Sequence, residues 1–275
     1  MPTTDEQLTP VRAGHDFDRD RLADCLAAGL PGFAGPLQVR QFEGGQSNPT
    51  FLLETPERRY VLRKKPPGEL LPSAHLIERE YRVMAALADS AVPVPRVHLL
   101  CEDAAVIGTS FFVMDYVPGR LLRDPALPGL APEQRRAVHR AMVQTLADLH
   151  GLDVDAVGLG DYGRRGGYVD RQIRRWSEQY RATETDPLAA MDRLIEWLPR
   201  HVRGEDGCCL VHGDYRIDNL LFHPERAETV AVLDWELSTL GHPLADLAYT
   251  CMYFHLRLPD GYLGDVAGRD GLPTE

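Results

Sequence analysis

Hydrophobic residues along this chain follow two different periods, and the switch between them divides the sequence. Residues 37–42, 50–54, 60–64, 96–101 and 111–117 are short β-prone runs punctuated by Gly, Pro, Asn and Asp, the pattern of strands in a small sheet. One stretch among them differs. Over residues 73–88, Leu76, Ile77, Val83, Met84 and Leu87 recur every three or four positions, which predicts an amphipathic helix with Ser73 as its N-cap. Residues 118–132 hold four prolines and two glycines, too many breakers for regular structure. Beyond them the period becomes helical at 132–150, 167–183 and 188–200, followed by short strands at 209–211, 220–223 and 230–233 and a helix over 243–256. The expected fold is α+β, with an N-terminal lobe over 1–117 of strands and one helix and a mainly helical C-terminal lobe over 118–275. The segment Gly271-Leu272-Pro273-Thr274-Glu275 reads as a turn feeding a helix for which no residues remain, so a C-terminally shortened chain is expected.

Composition narrows the function classes. The 30 basic and 41 acidic side chains leave a net charge of −11, which argues against an extended nucleic-acid or anionic-membrane surface. Five cysteines without a C-x-x-C spacing suggest neither a disulfide framework nor a zinc site, and fit a reducing cytoplasm. The chain begins polar and contains no apolar run of about 18 residues, so neither an export signal nor a membrane span is expected.

The densest chemistry lies in Leu210-Val211-His212-Gly213-Asp214-Tyr215-Arg216-Ile217-Asp218-Asn219-Leu220-Leu221 and in Val230-Ala231-Val232-Leu233-Asp234-Trp235-Glu236. Asp214 ends one apolar strand, Asn219 begins the next after a tight loop, and Asp234 ends a third. All three can converge at one sheet edge. Singly, each reads as a turn or cap residue. Together they supply what phosphoryl transfer requires: a carboxylate to orient and deprotonate a hydroxyl, and oxygen donors to hold a divalent cation against nucleotide phosphates.

The pattern H-x-D-x-x-x-x-N, followed by an isolated Asp after an apolar strand, resembles the aminoglycoside phosphotransferase and choline kinase superfamily. The resemblance covers residues 38–256. It is strongest toward the phosphotransferase domains of acyl-CoA dehydrogenase family members ten and eleven, through Val61-Leu62-Arg63-Lys64-Lys65-Pro66-Pro67-Gly68 and Asp234-Trp235-Glu236-Leu237-Ser238-Thr239-Leu240-Gly241. It implies a two-lobed protein-kinase-like fold with an antiparallel sheet in the small lobe. It also implies Asp214 as catalytic base, Asn219 and Asp234 as Mg²⁺ ligands, and His212 as a brace of the loop. Asp246 would hydrogen-bond that loop, and His150 would pack or cap a helix end.

The N-terminal half carries matching features. The Gly/Ser segment around Gly45 and Ser47 sits between two strands, where a kinase-like fold covers the nucleotide phosphates. Arg63 stands where the kinase pattern has its phosphate-pairing lysine, with Lys64 as the alternative. Alternation along a strand lets only one of the two enter the cleft. Arg63 shares its face with Val61, a suitable adenine roof. Glu80, in phase with the apolar helix positions, is the expected partner of Arg63, and Glu78 is expected to be solvated. The run ending Asp115-Tyr116-Val117 resembles the hinge, with the backbone at Asp115 and Val117 facing an adenine edge and Leu221 and Leu233 as its floor. The implied cofactors are Mg and ATP, with GTP an open alternative, and the acceptor is a small-molecule hydroxyl.

Relatives of this kind suggest a hydroxyacyl-CoA, and the cluster Arg164, Arg165, Arg171, Arg174 and Arg175 suits either an anionic acceptor or a solvated helix face. Aminoglycosides and choline-like alcohols remain open. A nucleotide-binding module without turnover is the alternative from another class. A protein kinase is disfavoured, because no activation segment ending in A-P-E follows Asp234.

Overall fold

The computed structural model describes residues 8–43, 48–66, 76–202, 207–255 and 269–273. In chain order its first half contains β1 (Leu8–Thr9), α1 (Arg19–Gly29), β2 (Gln38–Phe42), β3 (Thr50–Glu54), β4 (Arg59–Lys64), α2 (Ile77–Leu87), β5 (Val97–Cys101), α3 (Ala104–Ile107) and β6 (Phe111–Asp115). Its strands form one antiparallel sheet in the order β1-β2-β3-β4-β6-β5. Every residue of β4 after Arg59 is buried, because both faces of the sheet are covered. Tyr60 and Leu62 join a core with Leu22 and Leu26 of α1, whereas Val61 belongs to the core shared with α2 and the helical half.

Helix α1 is absent from the sequence-based expectation. Only Leu22 and Leu26 are buried in it, so its polar majority masks the apolar spacing. Asp18, which accepts the N–H groups of Asp20 and Arg21, is the cap that marks its start. Helix α2 begins at Ile77 after Leu76, which caps nothing with its side chain, and the expected cap Ser73 lies outside the described residues.

The second half continues with β7 (Arg120–Leu121), α4 (Pro132–His150), α5 (Tyr168–Thr183), α6 (Ala189–His201), β8 (Cys209–Val211), β9 (Leu220–Phe222), β10 (Thr229–Val232), β11 (Thr239–Gly241) and α7 (Leu244–Cys251). Two small antiparallel sheets, β10-β9-β7 and β11-β8, stand among the helices. β7 corrects the expectation of irregular chain over 118–132. Two residues between the breakers are enough to pair with Leu221 and Phe222.

A shared core fastens the halves. Val83, Met84 and Leu87 of α2 meet Met142, Leu146 and Leu149 of α4 together with Tyr215, Ile217 and Trp235. Each fully buried aliphatic side chain contributes roughly 1.5–3 kcal/mol. Polar ties add direction: Arg79 Nη2 donates to the Tyr162 carbonyl at 2.8 Å, and Tyr162 Oη donates to the Arg79 carbonyl at 3.2 Å. The position of Glu80, one residue along α2, is therefore set by the helical half. Among the described residues, no helix is long and apolar enough to cross a membrane.

Candidate active site

The loop after β8 is held from beneath by one buried carboxylate. Asp246, in the first turn of α7, accepts the His212 N–H through Oδ2 and the Gly213 N–H through Oδ1, both at 2.8 Å, and His150 Nε2 lies 3.0 Å from Oδ2. The two features read separately from the sequence, a loop-bonding aspartate and a helix-end histidine, are thus one network. His212 Nε2 donates to the Leu233 carbonyl at 2.8 Å, while Nδ1 accepts the Asp214 N–H at 3.2 Å. The imidazole ties the loop to the residue before Asp234.

Gly213 has φ +85°, and a Cβ there would stand 2.6 Å from the Leu237 carbonyl oxygen. Gly213→Ala is therefore expected to destabilise the protein by about 2 kcal/mol, read from urea unfolding. An unchanged midpoint would show that the loop relaxes freely.

Three candidate groups converge, but not at one sheet edge as expected: Asp214 follows β8 of one small sheet, whereas Asn219 and Asp234 flank the β9–β10 pair of the other. Leu233 N–H donates to the Asn219 carbonyl at 2.9 Å, extending the β9–β10 pairing to the residue before Asp234. Asn219 Nδ2 donates to the Asp214 carbonyl at 2.8 Å and to Asp214 Oδ2 at 2.9 Å. This orientation leaves the Asn219 Oδ1 as an oxygen donor. Asp234 adopts a left-handed backbone, φ +63°, which swings its side chain out of the strand path toward the sheet of the other half.

There it meets Arg63. The guanidinium donates through Nε to Glu80 Oε2 at 2.7 Å and through Nη2 to Asp234 Oδ1 at 2.5 Å. Burial works against the Arg63 charge, but Glu80 and then Asp234 more than offset it, so its pKa is raised. Burial pushes the Glu80 carboxyl up to about 7, with Arg63 pulling the other way. The charge on Glu80 therefore depends on the guanidinium beside it. Lys64 faces the opposite side of β4, where its ammonium lies 5.1 Å from the Phe17 ring centroid and 5.7 Å from that of Phe51. Burial lowers its pKa.

Other expected site residues fall at the edges of this cluster. Val61 is buried on the Arg63 face. The Asp115 N–H donates to the Arg96 carbonyl at 2.8 Å and is thus already engaged within the chain, and its side chain pairs with His98 at 2.7 Å. The strand of the candidate hinge ends at Asp115, and Val117 is half-buried in the chain beyond it. Leu221 is buried at the centre of β9, and Gly119 passes so close that a Cβ would stand 3.3 Å from the Leu221 Cβ. Leu233 contributes its backbone to the His212 and Asn219 bonds. Gly45 and Ser47 lie outside the described residues.

Two expectations change. Glu78 is half-buried and pairs with Lys65 at 2.5 Å, where solvation was expected, because α2 docks with its first turn against the end of β4. In the arginine cluster, Arg165 bonds Asp155 and Arg171 bonds the carbonyls of Gly166 and Arg164. Both are committed to loop structure, which weakens the case for an anion site there.

The structure also adds residues that the sequence reading passed over. Asn48 is fully buried and donates through Nδ2 to Glu236 Oε2 at 3.1 Å, joining the sheet to the segment after Asp234. Tyr249, on α7 three residues after Asp246, has its phenol pushed up to about 12 by burial and then by Asp214.

Comparison with known proteins gives the family. The chain is 52% identical over 271 residues to mouse (Mus musculus) acyl-CoA dehydrogenase family member 10, covering 96% of this chain and 25% of that protein. Across the acyl-CoA dehydrogenase relatives it matches, the chain spans 25% to 36% of their length. A solved Ralstonia eutropha protein, provisionally described as an aminoglycoside phosphotransferase, superposes with a TM-score of 0.84 at 48% identity, over 94% of this chain and 77% of that one. A thermostable mutant of aminoglycoside phosphotransferase APH(4)-Ia, solved in ternary complex with ADP and hygromycin B, shares the fold at 18% identity with a TM-score of 0.59, over 84% of this chain and 75% of that one. The sequence profile of the phosphotransferase enzyme family matches residues 38–275, and the chain belongs to that family.

Proposed function

We propose that this chain transfers the γ-phosphoryl group of Mg²⁺-ATP to a hydroxyl group of a small molecule, with Asp214 as the base and Asn219 and Asp234 as metal ligands. The observation that carries this reading is the meeting of Asp214, from the loop after β8, with Asn219 and Asp234 at the ends of the β9–β10 pair, with Arg63 reaching Asp234 from the other half.

The donor set fits the metal. Asn219 turns its amide nitrogen toward Asp214 and keeps an oxygen to offer, and Asp234 supplies a carboxylate; hard oxygen donors of this kind suit Mg²⁺. Among the described residues no three His, Cys, Asp or Glu side chains gather into a metal-holding group, so the remaining ligands would be phosphate oxygens and water. When bound, the metal would neutralise charge on the phosphate oxygens.

The protein's own groups do the rest. Asp214 accepts the proton of the attacking hydroxyl. Arg63, held by Glu80, offers its guanidinium to phosphate oxygens. Val61, Leu221 and the backbone at Asp115 and Val117 receive the adenine. The division at residue 117 makes the first lobe the nucleotide side and the second the acceptor side.

The test is ³¹P NMR of the chain with Mg²⁺-ATP or Mg²⁺-GTP against a panel of alcohols: glycerol, choline, an aminoglycoside, a hydroxy acid and its CoA ester. The acyl-CoA dehydrogenase relatives motivate the last of these. A phosphate monoester that disappears with EDTA is expected. Nucleotide binding without transfer to any alcohol, or transfer that survives EDTA, overturns the reading.

A further inference from the structure

Asn48 stands just before β3, where the Lys64 N–H donates to the Pro49 carbonyl at 3.1 Å, and it is fully buried. It makes contacts toward both halves of the site. Its carbonyl accepts the Thr50 hydroxyl at 3.1 Å, and Thr50 Oγ1 in turn accepts from Arg63 Nη1 at 3.5 Å. Its side-chain Nδ2 donates to Glu236 Oε2 at 3.1 Å in the other half. Glu236 sits in the 3₁₀ turn that Asp234 opens, a turn closed by the Ser238 N–H on the Trp235 carbonyl at 3.1 Å. Because Arg63 Nη2 reaches Asp234 directly, these residues close into a circuit that crosses between the halves twice, at Arg63–Asp234 and at Asn48–Glu236. An ionised carboxylate only accepts, so the amide must face it nitrogen first. Asn48 Oδ1 then has no partner among the described residues, and a buried acceptor left so costs about 1–3 kcal/mol that an apolar side chain would not carry. Packing alone therefore does not account for an asparagine here.

We propose that Asn48 is a positioning residue, which fixes the Asp234 turn against the Arg63 strand and so sets the register between the guanidinium that meets the nucleotide phosphates and the carboxylate that meets the metal. The bond from Arg63 to Asp234 alone leaves the turn free to pivot about one contact. A second crossing, two residues further on at Glu236, removes that freedom. The register matters because Mg²⁺ tolerates little departure from octahedral geometry, so its protein carboxylate and the phosphates must be held at a set separation. The inference rests on Arg63 meeting phosphate and Asp234 meeting the metal, as proposed above.

The test reverses the polarity of the bond. Asn48→Asp sets two carboxylates face to face, whereas Glu236→Gln keeps an acceptor oxygen for the Asn48 amide. The double variant Asn48→Asp/Glu236→Gln rebuilds the bond with donor and acceptor exchanged and the charge conserved. Calorimetry of each with ATP, in Mg²⁺ and in EDTA, is run beside urea unfolding. Asn48→Asp is expected to weaken Mg²⁺-ATP binding by about tenfold, the loss of a hydrogen bond to a charged group, and to change metal-free ATP binding by less than about threefold. Glu236→Gln and the double variant are expected to bind Mg²⁺-ATP within about threefold of wild type, because the pair acts as a unit. Should Asn48→Asp fail to unfold cooperatively, Asn48→Ser, which deletes the amide without adding a charge, takes its place with the same expectations.

Mg²⁺-ATP binding by the Asn48 variant that matches wild type overturns the proposal. So does a double variant as weak as Asn48→Asp, since Asn48 would then act by shape and not through the bond, or an equal loss with and without metal, which would mark a general loosening of the fold. Glu236→Gln as weak as Asn48→Asp overturns it too, because Glu236 would act on its own. A wild-type chain that binds no Mg²⁺-ATP instead removes the proposed function, and this inference falls with it.

Discussion

Asp214→Asn is expected to lower phosphoryl turnover by about 10²–10⁴-fold, the usual contribution of a positioned general base. The amide is nearly isosteric and can still accept the Asn219 Nδ2 bond that Asp214 Oδ2 receives at 2.9 Å, so the loop should keep its shape. It cannot take the proton of an attacking hydroxyl. Affinity for Mg²⁺-ATP, measured by calorimetry, is expected to change by less than about twofold, because the proposed metal and phosphate contacts belong to other residues. The informative result is therefore the split between kcat and binding. A variant that binds nucleotide and turns over at the wild-type rate would move the base elsewhere in the site.

Asp246→Ala has the largest expected effect on stability. The carboxylate is fully buried and is the shared acceptor for the His212 and Gly213 N–H groups and for His150. Its removal leaves two backbone donors and an imidazole inside the protein without an acceptor. Each unsatisfied buried donor costs about 1–3 kcal/mol, so a total of about 3–5 kcal/mol is expected in urea unfolding. Asp246→Asn retains one acceptor oxygen but turns an NH₂ group toward N–H donors, and should fall between wild type and Ala. A loss below about 1 kcal/mol for the Ala variant would show that the Asp214 loop is held by β8 and α4 alone.

Much of the fold was legible because its elements are set by near neighbours along the chain. The strands from β2 to β6 and helices α4, α5 and α6 lie within one or two residues of their expected ends at most boundaries, since period-2 and period-3.6 burial is written directly into residue order. The strand ends that carry Asp214, Asn219 and Asp234 were legible for the same reason. Helix α1 was not, because two buried leucines among polar residues carry too little periodic signal. β7 was not, because a two-residue strand exists only by virtue of its partner β9.

Sequence by itself determined the family, the α+β class, the convergence of the three strand-end residues and the choice of Arg63 over Lys64 for the α2 side of β4. The family follows from the resemblance of its motifs, and the others from spacing or alternation, which are local properties. Tertiary structure alone decided which charges meet. The bond from Arg63 to Asp234 spans 171 residues, and that from Asn48 to Glu236 spans 188. Glu78 found Lys65. Such pairs depend on how α2 docks, and its docking is governed by the shared core around Met142, Tyr215 and Trp235, whose members come from distant parts of the chain. No local pattern encodes that geometry, because it is the sum of packing between elements that only the folded chain brings together.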